Sequence, residues 1–71
     1  MSRYLVVYEK APRNWAAYVP DLPGCISTGK TREECEQNIA EAIRGHLDVM
    51  RERGEAIPPP SSESGFLDVA A

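Results

Sequence analysis

Apolar residues in the first thirty positions fall in pairs and alternations; from residue 31 they recur every three or four residues. That change of period divides the chain into a sheet-forming half and a helix-forming half. "RYLVVYEK", Arg3 to Lys10, is rich in Tyr and Val and alternates weakly, which predicts a strand. "WAAYV", Trp15 to Val19, predicts a second, and the short "APRN" between them favours an antiparallel hairpin. "PDLPG" then makes a tight loop, because its prolines cannot donate to a ladder and Gly24 tolerates a positive φ. "CISTG", Cys25 to Gly29, predicts a short third strand at an edge of the sheet.

Beyond it, Cys35, Ile39, Ala42, Ile43, His46, Leu47 and Met50 draw one apolar stripe along a helix. Thr31 with Glu34 three residues on forms a capping box, in which each side chain satisfies the other's backbone N–H. Glu33, Glu34 and Glu36 suit the positive end of the helix dipole, Arg51 and Arg53 the negative end, and Gly54 offers a left-handed stop. "EAIPPPSSES" ends the helix and extends the chain, and "GFLDVAA" predicts a last strand. The order is β-β-β-α-β, an α+β domain. It comprises a three-stranded antiparallel meander, one helix on one face, and a fourth strand that a right-handed crossover returns parallel to strand one.

The alternation also predicts which surface this arrangement leaves bare. Tyr4, Val6 and Tyr8 point opposite to Leu5 and Val7, and Trp15, Ala17 and Val19 opposite to Ala16 and Tyr18. Both faces are apolar, yet one helix covers only one of them. An oligomer or a protein partner on the other face is expected; the alternative is a half-wet sheet with scattered apolar residues.

Composition adds bounds. The chain has 71 residues, 42% hydrophobic and 27% charged, as expected of one small globular domain with a marginal core. Its formal net charge of -3 disfavours nucleic acid as a direct ligand and suits a basic partner. "MSRYLVVYEK" lacks the apolar core of a secretory signal, and no run approaches the roughly 18 apolar residues of a membrane span. Cys25 and Cys35 have neither CxxC spacing nor companion histidines, so they read as reduced thiols packed as small hydrophobes in a cytoplasmic protein, with a disulfide as the alternative.

Chemical motifs are few. "GCISTGKT", residues 24 to 31, fits the phosphate-cradling pattern G-x-x-x-x-G-K-[ST]. That loop belongs after a long buried strand of a parallel α/β sheet, whereas "VPDLPG" stands before this one. The competing reading is that Gly29 ends a strand, Lys30 is exposed and Thr31 caps the helix. His46, the single histidine, falls on or beside the apolar stripe as a structural residue. Glu9, Asp21, Glu41 and Asp68 show no spacing that demands a metal, so neither catalytic residues nor a cofactor are expected.

The stretch "WAAYVPDLPGCISTGKTREECEQNIAEAI", Trp15 to Ile43, resembles the HicB family of antitoxins and its short stand-alone relatives. The resemblance rests on the aromatic-rich second strand, on Pro20 to Cys25, and on Gly29, Thr31, Glu33, Glu34, Asn38, Glu41, Ala42 and Ile43. Cys35 stands where relatives often carry a small residue such as alanine. The resemblance implies a partial ribonuclease H-like fold, self-association as a dimer or tetramer, and no catalysis. It also implies a small, basic, messenger-cleaving HicA-like toxin as partner. Many members continue into a DNA-binding domain. This chain reads as a single antitoxin domain over 1–71, so operator binding is not carried over.

Two functions compete. One is a module that neutralises such a toxin by covering its nuclease surface, with Trp15, Tyr18, Asp21 and Leu22 as candidate contacts. The other is a toxin-independent homo-oligomer that uses the same apolar face on itself. A residual metal nuclease or nucleotide binder is the weaker third reading.

Overall fold

The computed structural model describes residues 2–71. Three strands, β1 (Val7–Lys10), β2 (Trp15–Tyr18) and β3 (Ile26–Gly29), form an antiparallel sheet in the order β1-β2-β3, and one helix, α1 (Arg32–Glu52), follows. Each strand is shorter than its apolar pattern predicts. The pairing Val7 to Tyr18 and Lys10 to Trp15 uses all of β2, so residues 3–6 have no ladder partner once the chain turns away at Val19. That turn is built from nested backbone bonds: Leu22 N–H to Val19 O (3.0 Å), Cys25 N–H to Leu22 O (3.0 Å) and Val19 N–H to Cys25 O (3.1 Å). Gly24 completes it at φ 83°, a conformation that side-chain-bearing residues rarely adopt.

The core lies between the sheet and α1. Ala17, Val19, Leu22, Cys25, Cys35 and Ile39 are buried, and Tyr4, Val6, Tyr8, Trp15, Ala42, Ile43 and Leu47 pack around them. Burying a large aliphatic such as Leu22 or Ile39 contributes about 2 kcal/mol. Burial fades along the helix: Cys35 and Ile39 are fully enclosed, whereas Ile43, Leu47 and Met50 are half-buried. The lengths account for it, because four-residue strands span roughly 13 Å and a helix of this size about 30 Å. The C-terminal half of α1 overhangs the sheet.

Both helix ends behave largely as the sequence implies. Thr31 Oγ1 accepts the Glu34 N–H at 3.0 Å, but Glu34 returns its carboxylate to the Lys30 N–H (3.1 Å) rather than to that of Thr31, so the box is displaced by one residue. At the other end Gly54 takes φ 67°, and the N–H groups of Gly54 and Glu55 bond the carbonyls of Arg51 and Met50.

Among the described residues the predicted fourth strand does not form. Residues 55–71 carry no regular structure, and Gly65–Ala71 pairs with nothing. The reason lies in how the segment is tied. The Tyr4 hydroxyl donates to Pro58 O at 2.6 Å, and the Asp21 carboxylate accepts the N–H and hydroxyl groups of both Ser61 and Ser62 at 2.7 to 3.2 Å. These bonds tie the segment to Tyr4 and to the Val19–Cys25 loop, Pro60 to Ser64 lie across a cavity from Arg3 and Leu5, and from Glu63 onward every residue is exposed.

Two outcomes test this packing. A Cβ on Gly29 would stand 2.4 Å from the backbone nitrogen of Cys35, whereas one on Gly45 meets nothing within 4 Å. Gly29→Ala is therefore expected to lower stability by about 3 kcal/mol and Gly45→Ala to raise it by about 1 kcal/mol in urea unfolding; equal effects would contradict the close approach. The second concerns Asp21, whose pKa the Ser62 and Ser61 hydrogen bonds lower from the ordinary 3.8 to about 2. A depressed carboxylate stabilises the fold above its unfolded pKa and loses that contribution as pH falls through the folded one. The Ser61 and Ser62 amide signals should stay in place down to pH 4 and shift with a midpoint near 2 in an NMR titration; a midpoint at the ordinary carboxylate value would refute the anchor.

Candidate partner-binding surface

The strand register assembles one feature that single-strand alternation does not reveal. Val7 faces Tyr18 across β1 and β2, and Tyr18 faces Ile26 across β2 and β3. These residues lie on the side of the sheet opposite α1, so they form a continuous apolar row across all three strands. Tyr18 is 40% exposed and Ile26 70% exposed, while Val7 and the neighbouring Leu5 are half-buried. The adjacent row, Glu9, Ala16 and Thr28, is polar at its two ends. The open face therefore presents an apolar centre with a polar margin, the composition of a protein-binding patch.

The four sequence-predicted contact residues separate into different environments. Tyr18 stands at the centre of the row. Trp15 lies on the opposite side, half-buried against the core, with the Lys10 ammonium 5.7 Å from its ring centroid. Leu22 is 0% exposed, so it shapes the loop from within and has no surface to offer a partner. Asp21 is occupied by Ser61 and Ser62. Val7 and Ile26 were not singled out from the sequence; their contribution depends on the register, which the chain's own periodicity does not specify.

On the helix side, Arg32 stacks its guanidinium 3.6 Å from the Tyr8 ring centroid. Burial, and then the negative charge of Glu36, push the Tyr8 phenol above its ordinary pKa. Asn38 donates to the Thr28 carbonyl at 2.8 Å, which ties the helix to the outer strand β3. This gives the asparagine of the "EEC..N" stretch a structural task.

The phosphate-loop string has a different role here. Ile26–Gly29 of the string is β3, Gly29 is covered by Cys35, and Lys30 is exposed. His46 is half-buried beside a shallow cavity of about 420 Å³ with Cys25, Ile26, Ala42, Val49 and Met50 on its walls. Among the described residues no group of three His, Cys, Asp or Glu is placed to hold a metal ion. Cys25 and Cys35 are buried free thiols, and burial raises the pKa of Cys25. Among the described residues no helix is long and apolar enough to cross a membrane.

Comparison with known proteins agrees with this geometry. Residues 4–68 match the model of the HicB-like antitoxin of bacterial toxin–antitoxin systems. A UPF0150 protein of Thermoplasma acidophilum is 37% identical over 62 residues, which cover 86% of this chain and 90% of the relative. Antitoxin HicB 2 of Photorhabdus laumondii is 34% identical over 70 residues, 97% of this chain but only 50% of the relative. An uncharacterized protein of Haemophilus phage HP1 is 40% identical over 65 residues, 49% of its length. The chain thus spans nearly all of one relative and about half of the other two. Among solved structures, a chain of a HicA3 and HicB3 toxin–antitoxin complex superposes with a TM-score of 0.72 at 28% identity, over 83% of this chain and 70% of that one. The three antiparallel strands, the single helix and the match over residues 4–68 agree, and the chain belongs to the HicB-like antitoxin family.

Proposed function

We propose that this protein is the toxin-binding module of a toxin–antitoxin pair, and that it neutralises a small, basic, HicA-like messenger-cleaving toxin by covering its nuclease surface. The observation that carries the reading is the superposition on a chain of a HicA3 and HicB3 complex, taken together with the open apolar row Val7, Tyr18 and Ile26. Inhibition in this reading is steric and electrostatic. The row contributes desolvated contact area, with Tyr18 as the anchor, because a tyrosine brings a large apolar ring and a polar tip at little cost in rotamer entropy. The net charge of -3 contributes attraction towards a basic partner.

Trp15, behind the hairpin, supports the strand that carries Tyr18. Asp21 and Leu22 act by holding the Val19–Cys25 loop in shape. The β-β-β-α order is the supporting element for a partial ribonuclease H-like relationship, used for binding and without catalysis or cofactor. A cytoplasmic location follows from the substrate of such a toxin, which is messenger RNA.

Co-expression with the adjacent small basic reading frame is expected to restore growth and yield a co-purifying complex. Tyr18→Glu should weaken that complex by about 30-fold or more while leaving the circular dichroism spectrum unchanged. Absence of both rescue and co-purification would overturn the antitoxin reading, and full binding by Tyr18→Glu would move the interface off the open face.

A further inference from the structure

The direction of the hydrogen bonds around β3 leaves part of that strand open. β3 stands at a sheet edge, with β2 as its single partner. The Val19 N–H donates to the Cys25 carbonyl at 3.1 Å, so that carbonyl turns towards the β2 side. Successive residues of an antiparallel strand alternate, which turns the backbone groups of Ser27 inward and those of Ile26 and Thr28 outward. The Asn38 amide reaches the Thr28 carbonyl from the helix at 2.8 Å, in agreement with that alternation, and closes the edge at this end. The N–H and C=O of Ile26 face outward with no strand beside them.

Beside this short length of edge, along the overhanging half of α1, lies the cavity of about 420 Å³. Cys25 and Ile26 line it from the sheet, and Ala42, Gly45, Val49 and Met50 from the helix. A Cβ on Gly45 would meet nothing within 4 Å, so the helix presents bare backbone to open space. Arg53 and Glu55, also on the lining, offset one another's charge at 3.8 Å. A chain laid along a strand edge points every second side chain into such a space.

We propose that this edge and cavity take a short extended segment of the toxin partner, which pairs with the backbone of Ile26 and seats one large uncharged side chain between Gly45, Val49 and Met50. Ile26 is also the outer end of the open-face row, so a partner on that row reaches the edge without a gap. The offset charges favour an apolar side chain over an ion, which would lose its hydration and gain no counter-charge. A second copy of β3 fits poorly. Continuing the sheet with its helix on the same side, it would offer Cys25, Ser27 and Gly29: a thiol buried in its own core, a small hydroxyl and no side chain. This rests on the toxin-binding reading and deepens it, because a backbone ladder fixes the direction in which the partner lies, which an apolar row alone does not.

The test uses the full chain in complex with the product of the adjacent small basic reading frame. The Ile26 N–H is expected to exchange with solvent about 10-fold or more slowly in the complex than in the free chain. Gly45→Leu, which fills the cavity from the helix, should raise the dissociation constant by about 30-fold without lowering the thermal unfolding midpoint. Unchanged Ile26 exchange in a complex that forms, or full affinity of Gly45→Leu, would overturn this inference and leave toxin binding, read by Tyr18→Glu, standing. Slowed Ile26 exchange that appears on concentrating the chain alone would assign the edge to a second copy and overturn it as well. Failure of any complex to form would remove the toxin-binding reading and this inference together.

Discussion

The close approach of α1 to β3 at Gly29 is the constraint on which the rest of this fold depends. The helix backbone at Glu34 and Cys35 rests directly on the strand, with no room for a side chain between them. That contact follows from the very short link from β3 to α1, in which Lys30 and Thr31 reverse the chain and Thr31 caps the helix it starts. A link this short leaves the first helical turns no freedom to stand off the sheet. The small Cys35 side chain and Ile39 are consequently driven to full burial, and Asn38 comes within reach of the Thr28 carbonyl. One glycine thus sets the height of the helix, and the cap and the asparagine set its direction.

A helix fixed over β3 and β2 at its N-terminal end cannot also cover β1, and a helix longer than the strands must overhang them. The half-burial of Tyr4, Val6 and Tyr8, the exposure of Val49 and the shallow cavity beside His46 share that origin. Among the described residues six make up the buried hydrophobic core, and such a core has little reserve with which to enclose anything further. Surfaces left unfinished by this geometry lie beside the overhang of α1 and on the open face, and a domain of this kind gains most from partners that cover them.

The legible parts of the structure were those written in local chemistry. The helix was readable because its stripe repeats from Cys35 to Met50 and because Thr31, Glu34 and Gly54 mark its ends through bonds with near neighbours in sequence. The three strands and their order were readable from short links and alternation. Their lengths were not, since a strand ends where its partner leaves, and β2 leaves at Val19 into a loop closed by its own nested backbone bonds. The last segment shows the same limit more sharply: "GFLDVAA" has the composition of a strand, but composition does not say whether a chain supplies its own partner. At the candidate surface, Tyr18 was visible as an aromatic in an apolar strand, whereas Val7 and Ile26 become its neighbours through register alone. Leu22 was visible as apolar in a loop, and apolar loop residues are as readily plugs as contacts.

The string "GCISTGKT" shows why context decides such cases. In a phosphate loop, both glycines free the backbone to wrap an anion, and the lysine reaches it. Here Gly24 serves a loop by its positive φ, and Gly29 serves a helix by having no side chain, two separate demands that a strand holds apart. Two backbone N–H groups of the string are engaged instead: Cys25 donates to the Leu22 carbonyl and Lys30 to the Glu34 carboxylate. A carboxylate already occupies the place at the helix N-terminus that an anion would take, and the same residue that completes the cap repels a phosphate. The sequence pattern is shared, but the fold gives its glycines and its lysine N–H other tasks.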